Sequence, residues 1–142
     1  MMKIIILILS GFIAISNLNA EEETGHEENF QVGVGKGIVA ASEDDGIKLS
    51  PQAEKNFEIQ KVTGNIIAKS ALVKVGEEVN IYRYRDGFYK RIDFQIVKKV
   101  GDQIHIKSHD LKPSDQIVVQ GMGFIRVAEI AAFGGAVSGH SH

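Results

Sequence analysis

The sequence predicts a mainly β protein: a small antiparallel β-barrel or roll with one short helix, preceded by a signal peptide. Three observations carry this. Short runs rich in Ile, Val, Tyr and Phe recur at close spacing through the middle of the chain. Turn signals separate them, at Glu43-Asp44-Asp45-Gly46, Asp86-Gly87 and Gly101-Asp102. One helix-start signal is clear, at Ser50-Pro51. Many short strands with turns at regular intervals read as a small barrel or roll.

Lys36 to Ala41 is a short apolar run, and Ile47-Lys48-Leu49 alternates behind the first turn. Ser50 is a preferred N-cap, and proline is tolerated at the first helical position because its missing N–H had no partner there. The spacing predicts a short helix to Phe57, with Ala53, Asn56 and Phe57 on one side and Gly64 closing the segment. Asn65 to Val75 reads as one strand and Val79 to Tyr84 as another; Asp86-Gly87 is a hairpin signal. From Phe88 to Val97 the chain alternates, and the face of Phe88, Lys90, Ile92, Phe94 and Ile96 is expected to be buried. Ile104 and Ile106 alternate with His105 and Lys107, and Ile117-Val118-Val119 is a short continuous strand. Ile125 to Phe133 is apolar but fits strand and helix equally.

The flanks differ in composition. Met1-Met2-Lys3, the apolar run Ile4 to Ile15 and the polar exit to Ala20 have the order of a secretory signal, with cleavage expected after Ala20. The apolar part is shorter than the roughly 20 residues of a spanning helix; retained, it would be an anchor. Residues 21–64 carry ten acids and four bases, and residues 65–126 seven acids and eleven bases. The expected organisation is a signal peptide at 1–20, an acidic flexible lead at 21–36, a β-domain at 37–133 and a flexible histidine-containing tail at 134–142.

Several function classes are excluded or disfavoured. The chain of 142 residues has no Cys, which removes disulfides, thiolate metal sites and Cys nucleophiles. No G-x-S-x-G occurs. Gly33-Val34-Gly35-Lys36-Gly37 is neither a Walker A loop nor a Rossmann fingerprint. Asp44-Asp45 and Glu77-Glu78 are adjacent pairs in turns, where carboxylates are solvated. No enzyme is expected. The cluster of Arg83, Arg85, Lys90, Arg91, Lys98 and Lys99 could suggest nucleic acid. In a secreted chain of net charge -2, a solvated face or a face against an acidic partner explains it better. Arg83, Arg85, Lys90 and Arg91 are the candidate docking residues.

The histidines are the candidate ligands. His140-Ser141-His142 places two imidazoles beside the terminal carboxylate, and His26 lies among Glu22, Glu23, Glu27 and Glu28. Imidazole with carboxylate suits Zn²⁺, Cu²⁺ or Ni²⁺, but ordering a tail costs about 1–2 kcal/mol per residue. No cofactor is expected beyond Zn or Cu at these tails. His105 and His109 are expected at the surface.

Ser70-Ala71-Leu72-Val73, Val79-Asn80-Ile81-Tyr82 and Asp86-Gly87-Phe88-Tyr89-Lys90-Arg91 resemble the return limb of periplasmic adaptor proteins, the membrane-fusion partners of RND-type efflux pumps. Asp110-Leu111-Lys112-Pro113-Ser114-Asp115-Gln116-Ile117-Val118-Val119-Gln120-Gly121 is similar to that family's Gly-Leu-x-Pro-Gly-Asp-x-Val-Val-x-Gly pattern, with Asp110 and Ser114 in place of two glycines. Ile47 to Pro51, continuing through Phe57-Glu58-Ile59, resembles the segment that opens such adaptors. The helical hairpin and lipoyl-like domain have no counterpart, since only a dozen residues separate Ile59 from Ala71. The resemblance covers roughly Gly37 to Ala131 and implies the membrane-proximal β-domain alone. It implies a non-catalytic periplasmic accessory protein docking onto an RND-type pump or another periplasmic adaptor, peripheral to the inner membrane at most. His-rich ends recur in heavy-metal adaptors, which favours a metal-export context. The alternative is a soluble periplasmic carrier that binds metal through its His and Glu tails.

Overall fold

The computed structural model describes residues 31–134. The expected signal segment, residues 21–30 of the acidic lead and residues 135–142 of the tail lie outside the described residues. The fold is mainly β and antiparallel, as expected from the short β-branched runs. The strands are β1 (Ile38–Ser42), β2 (Gly46–Leu49), β3 (Gln60–Thr63), β4 (Ile66–Ala68) and β5 (Val73–Val75), then β6 (Glu78–Arg85), β7 (Phe88–Ile92), β8 (Gln95–Val100), β9 (Gln103–Lys107) and β10 (Gln116–Gln120). Helix α1 spans Pro51–Asn56 and helix α2 spans Met122–Phe133. The expected short helix is α1, and the apolar segment that fits strand and helix equally folds as a second, longer helix, α2.

Seven strands form one sheet in the order β1-β2-β7-β6-β10-β3, with β5 also on β6; the other three form a sheet in the order β4-β9-β8. Local chemistry sets the joints. Asp86 and Gly87 take φ of 52° and 87° between β6 and β7, the two left-handed positions that a tight hairpin turn needs and that Asp-Gly favours. Ser50 caps α1 with its side chain, accepting from the Ala53 N–H at 3.2 Å. Gly46 has φ of 100°, and a Cβ there would lie 2.0 Å from the Tyr89 carbonyl oxygen, so only glycine lets β2 meet β7 at this point.

The seven-stranded sheet is covered on both faces. Cross-strand partners share a face, and Tyr82 pairs with Arg91 while Ile81 pairs with Ile92. Tyr82, Tyr89, Val118, Ile47 and Leu49 pack with Ile125 and Ala128 of α2. On the other side Ile81, Ile92 and Ile117 pack with Ile67, Ile104 and Ile106 of the small sheet. The result is a helix layer, a large sheet and a small sheet.

Two long expected strands are broken. Asn65 to Val75 divides into β4, a 3-10 turn at Lys69–Ala71, and β5. Phe88 to Val97 divides at Asp93-Phe94, so β7 belongs to the large sheet and β8 to the small one. The expected burial of one face across this stretch is corrected. Ile92 is buried, Phe94 only partly so, and Ile96 is exposed, whereas Tyr89 and Arg91 on the other face are buried. Both parities of β7 are covered because layers lie on both sides of it. Val32, within the expected flexible lead, packs against the core and bridges Ile38.

Candidate docking surface

Helix α2 is bracketed by two glycines. Gly121, at its N-terminus, has φ of 86°, and a Cβ there would lie 2.9 Å from Ile59 Cγ1 and 3.0 Å from the Phe57 carbonyl oxygen. Gly134 ends the helix in the left-handed region and donates its N–H to the Ile130 carbonyl at 2.8 Å, a common helix stop. A helix lying on a protein normally turns its apolar stripe inward and its charges to water. In α2 the charges point the other way. Arg126 and Glu129 are its only charged residues, and Glu129 is buried. Phe124, Val127 and Ile130 point outward, 52%, 66% and 43% exposed. Gly123 and Ala131 share that exposed surface, as helical spacing requires. Phe57, just beyond α1, stacks on Phe124 with ring centroids 4.7 Å apart and extends the patch.

The inward charges explain why α2 can present an apolar face and still stay on the sheet. Tyr82 donates its hydroxyl to Glu129 Oε2 at 2.7 Å, and Arg126 Nη1 donates to the same oxygen at 2.5 Å. Arg91 Nε lies 3.5 Å from Glu129 Oε1. Arg91 Nη1 donates to Asn80 Oδ1 at 3.2 Å, and Asn80 Nδ2 donates to Asp93 Oδ1 at 2.6 Å. Burial first, and then the charge and hydrogen bond of Glu129, hold the Tyr82 hydroxyl far above the usual phenol range, so it remains a donor. Charged hydrogen bonds in a buried setting are the strong ones. Helix α1 is fixed by a smaller version of the same device. Tyr89 donates to Glu54 at 2.6 Å, Lys61 donates to Tyr89 at 2.9 Å, and the ammonium sits 3.9 Å from the centre of the Tyr84 ring.

The four basic residues expected at a docking face do not form one. Arg83 and Arg91 are only 6% and 3% exposed, and strand alternation places them on opposite faces of the large sheet. Arg85 grips Asp115 through two bonds, at 2.8 and 2.6 Å, and reaches the Asp110 carbonyl at 2.8 Å. Arg83 Nη1 also reaches that carbonyl, at 3.4 Å. Burial, followed by the nearby Arg85 charge, lowers the Arg83 guanidinium below its ordinary value. Lys90 donates to the Asp44 carbonyl at 2.7 Å and steadies the β1–β2 turn. These residues are internal ties, and the expected docking role is corrected for Arg83 and Arg91 by their burial.

Asp115 is the anchor that sequence reading overlooked. Besides Arg85 it accepts from the Lys112 N–H at 2.6 Å, pinning the loop before β10. The Arg85 hydrogen bond chiefly holds its carboxyl below the usual range. Asp three residues after Lys112, following Pro113, was the available signal, since aspartate readily bonds a nearby backbone N–H in turns. The outward face of α2 had a signal too. Phe124, Val127 and Ala131 fall at helical spacing, a signal masked by a composition that suits strand and helix equally.

No protein-family model, curated protein or solved structure matches the chain. Among the described residues no three His, Asp or Glu side chains converge as a metal site. His105 sits half-exposed on β9 and His109 is exposed. His26, His140 and His142 lie outside the described residues. No described helix is long and apolar enough to cross a membrane.

Proposed function

We propose that the chain is a non-catalytic periplasmic accessory protein that docks through the outer face of α2 onto an RND-type efflux system, either the pump or its adaptor. The observation that carries the docking reading is the outer face of α2: Phe124, Val127 and Ile130 are exposed, while Glu129 is buried and the partly exposed Arg126 turns its guanidinium onto it. An exposed run of large apolar side chains on one helix is a recognised mark of an interaction surface, and an apolar helix face laid into a groove is a common mode of recognition. The partner class rests on the resemblance of Asp110 to Gly121, and of the β6–β7 hairpin, to adaptor segments.

The non-catalytic reading has its own support. The buried ionisable groups Tyr82, Tyr89, Glu129 and Asp115 are each committed to structural bonds that hold helices or loops. Covering the exposed halves of three apolar side chains is worth on the order of 3 kcal/mol, less than the cost of association. Docking therefore needs surrounding contacts and is transient.

The test is a photo-crosslinking amino acid at Val127 of the full chain in its native cells, with Lys55 on α1 as the control position. An adduct at Val127 containing the pump or adaptor, reduced by Phe124→Ser, is the expected result. An adduct with neither protein overturns the reading. Metal tolerance that depends on His140 and His142 but not on Phe124 would establish the carrier instead.

A further inference from the structure

The geometry points to a second interaction surface, independent of the efflux reading: the free edge of β8 binds an extended acidic segment of a partner protein. Strand β8 is the last strand of its sheet, and all six of its residues are exposed. Among the described residues no strand pairs with its outer edge. Ile96, Val97 and Val100 are exposed apolar side chains on this strand, Val97 at 67%. An open edge with apolar side chains is a template for an added strand.

Across the same sheet, from Val97 over Ile106 and Lys107 of β9 to Gly64 and Asn65 before β4, runs a cleft of about 500 Å³ completed by Leu111, Lys112 and Pro113. It brings two ammonium groups and no carboxylate to this sheet. Lys98 and Lys99 on β8 add to the same sign, and the three strands of this sheet contain no Asp or Glu. Asp93 and Asp110 line a smaller adjoining cleft, so the basic character is concentrated on the Lys112 side. An added strand of valine and glutamate meets both demands, covering the exposed Ile96, Val97 and Val100 and setting carboxylates against Lys98 and Lys99.

A second copy fits poorly. Antiparallel pairing of β8 with its own copy sets lysines at or beside one another, and like charges across strands are unfavourable. The lysines themselves are the usual guard against self-pairing, and an acidic partner meets no such charge.

The probe is a fluorescein-labelled ten-residue peptide of alternating glutamate and valine, titrated into the full chain and followed by anisotropy. Saturable binding is expected. It should weaken severalfold between low salt and 0.5 M salt, and about tenfold in the double variant Lys98→Glu, Lys99→Glu. That variant should keep the parent denaturation midpoint, since both side chains are in water. Amide shifts in an NMR titration should be largest over residues 95–100. Failure to saturate, equal binding of a lysine–valine peptide, or unchanged binding by the double variant overturns the proposal. If the full chain binds the peptide only after Glu21, Glu22, Glu23, Glu27 and Glu28 become glutamine, its own acidic segment is the occupant, and the proposal of a partner protein fails. If the probe is excluded by dimers that the double variant abolishes, a second copy is the occupant and it fails likewise.

Discussion

Changing Glu129 to alanine removes the one acid on α2, and the structure sets the size of the effect. The carboxylate accepts from Tyr82 and Arg126 and faces Arg91 at 3.5 Å. Arg91 cannot escape to water, since its side chain is 2% exposed. Its other acid, Glu78, is 3.7 Å away and 39% exposed, so it compensates weakly. Removing one partner of a buried pair costs about 3–5 kcal/mol, out of the roughly 5–15 kcal/mol that holds a domain together. In a domain of about 100 residues each kcal/mol moves the melting temperature by about 4 °C, so the fall should be about 12–20 °C. Arg126→Ala should cost only about 1 kcal/mol or less, because Arg126 is partly solvated and screened. Tyr82→Phe should fall between them, leaving the carboxylate short of one donor. The assay is urea and thermal denaturation of the three variants. If Glu129→Ala lies within about 1 kcal/mol of the parent, or Arg126→Ala costs as much, the inward charges do not hold the helix and the reasoning fails.

Two further outcomes follow from single contacts. Gly46→Ala forces a Cβ against the Tyr89 carbonyl at a φ of 100° and should cost more than about 2 kcal/mol. Gly101→Ala, at φ 58° in open space, should cost only about 1 kcal/mol, and urea midpoints will rank them. Arg85 holds the Asp115 carboxyl below its ordinary value, so the pair's stabilisation is complete above the unfolded value near 4 and is lost as pH falls through the lower folded value. Asp115→Asn should flatten the acid limb of a stability-versus-pH curve, and an unchanged limb would show that another carboxylate sets it.

Local rules were legible wherever one short-range contact decides the backbone. Asp86-Gly87 turns and Ser50 caps as their chemistry requires, and the alternation of Ile104 and Ile106 was right because β9 has one face on the core. The same rule failed on β7. Its buried residues fall on both parities, since Tyr89 lies in the core under the helices and the small sheet covers Ile92, and alternation signals only strands with one wet face. The break after Ile92 was hidden because Asp93 leaves the strand for tertiary partners. Its side chain accepts from Asn80 and its carbonyl from Ser108. The candidate site was the least legible part. Basic residues close in sequence looked like a patch, but strand pairing sent Arg83 and Arg91 into opposite layers. The exposed face was carried by α2, whose composition suits either element.

The position of β10 has a consequence for how the chain is made. It is the last strand among the described residues, yet it lies between β6 and β3, two strands that precede it. The β6–β7 hairpin can form as soon as it emerges, since its contacts are local. The large sheet cannot close until Gln116–Gln120 has been synthesised, and closure then depends on contacts of long sequence separation, which form slowly. Up to that point β3 has no neighbour and one side of β6 stands open, the condition in which chains associate wrongly. A ribosome that stops before Gln116 thus releases more than a shortened protein: it releases two unmatched strand edges and the Tyr82 and Leu49 that α2 would have covered, a product for proteases and chaperones to clear.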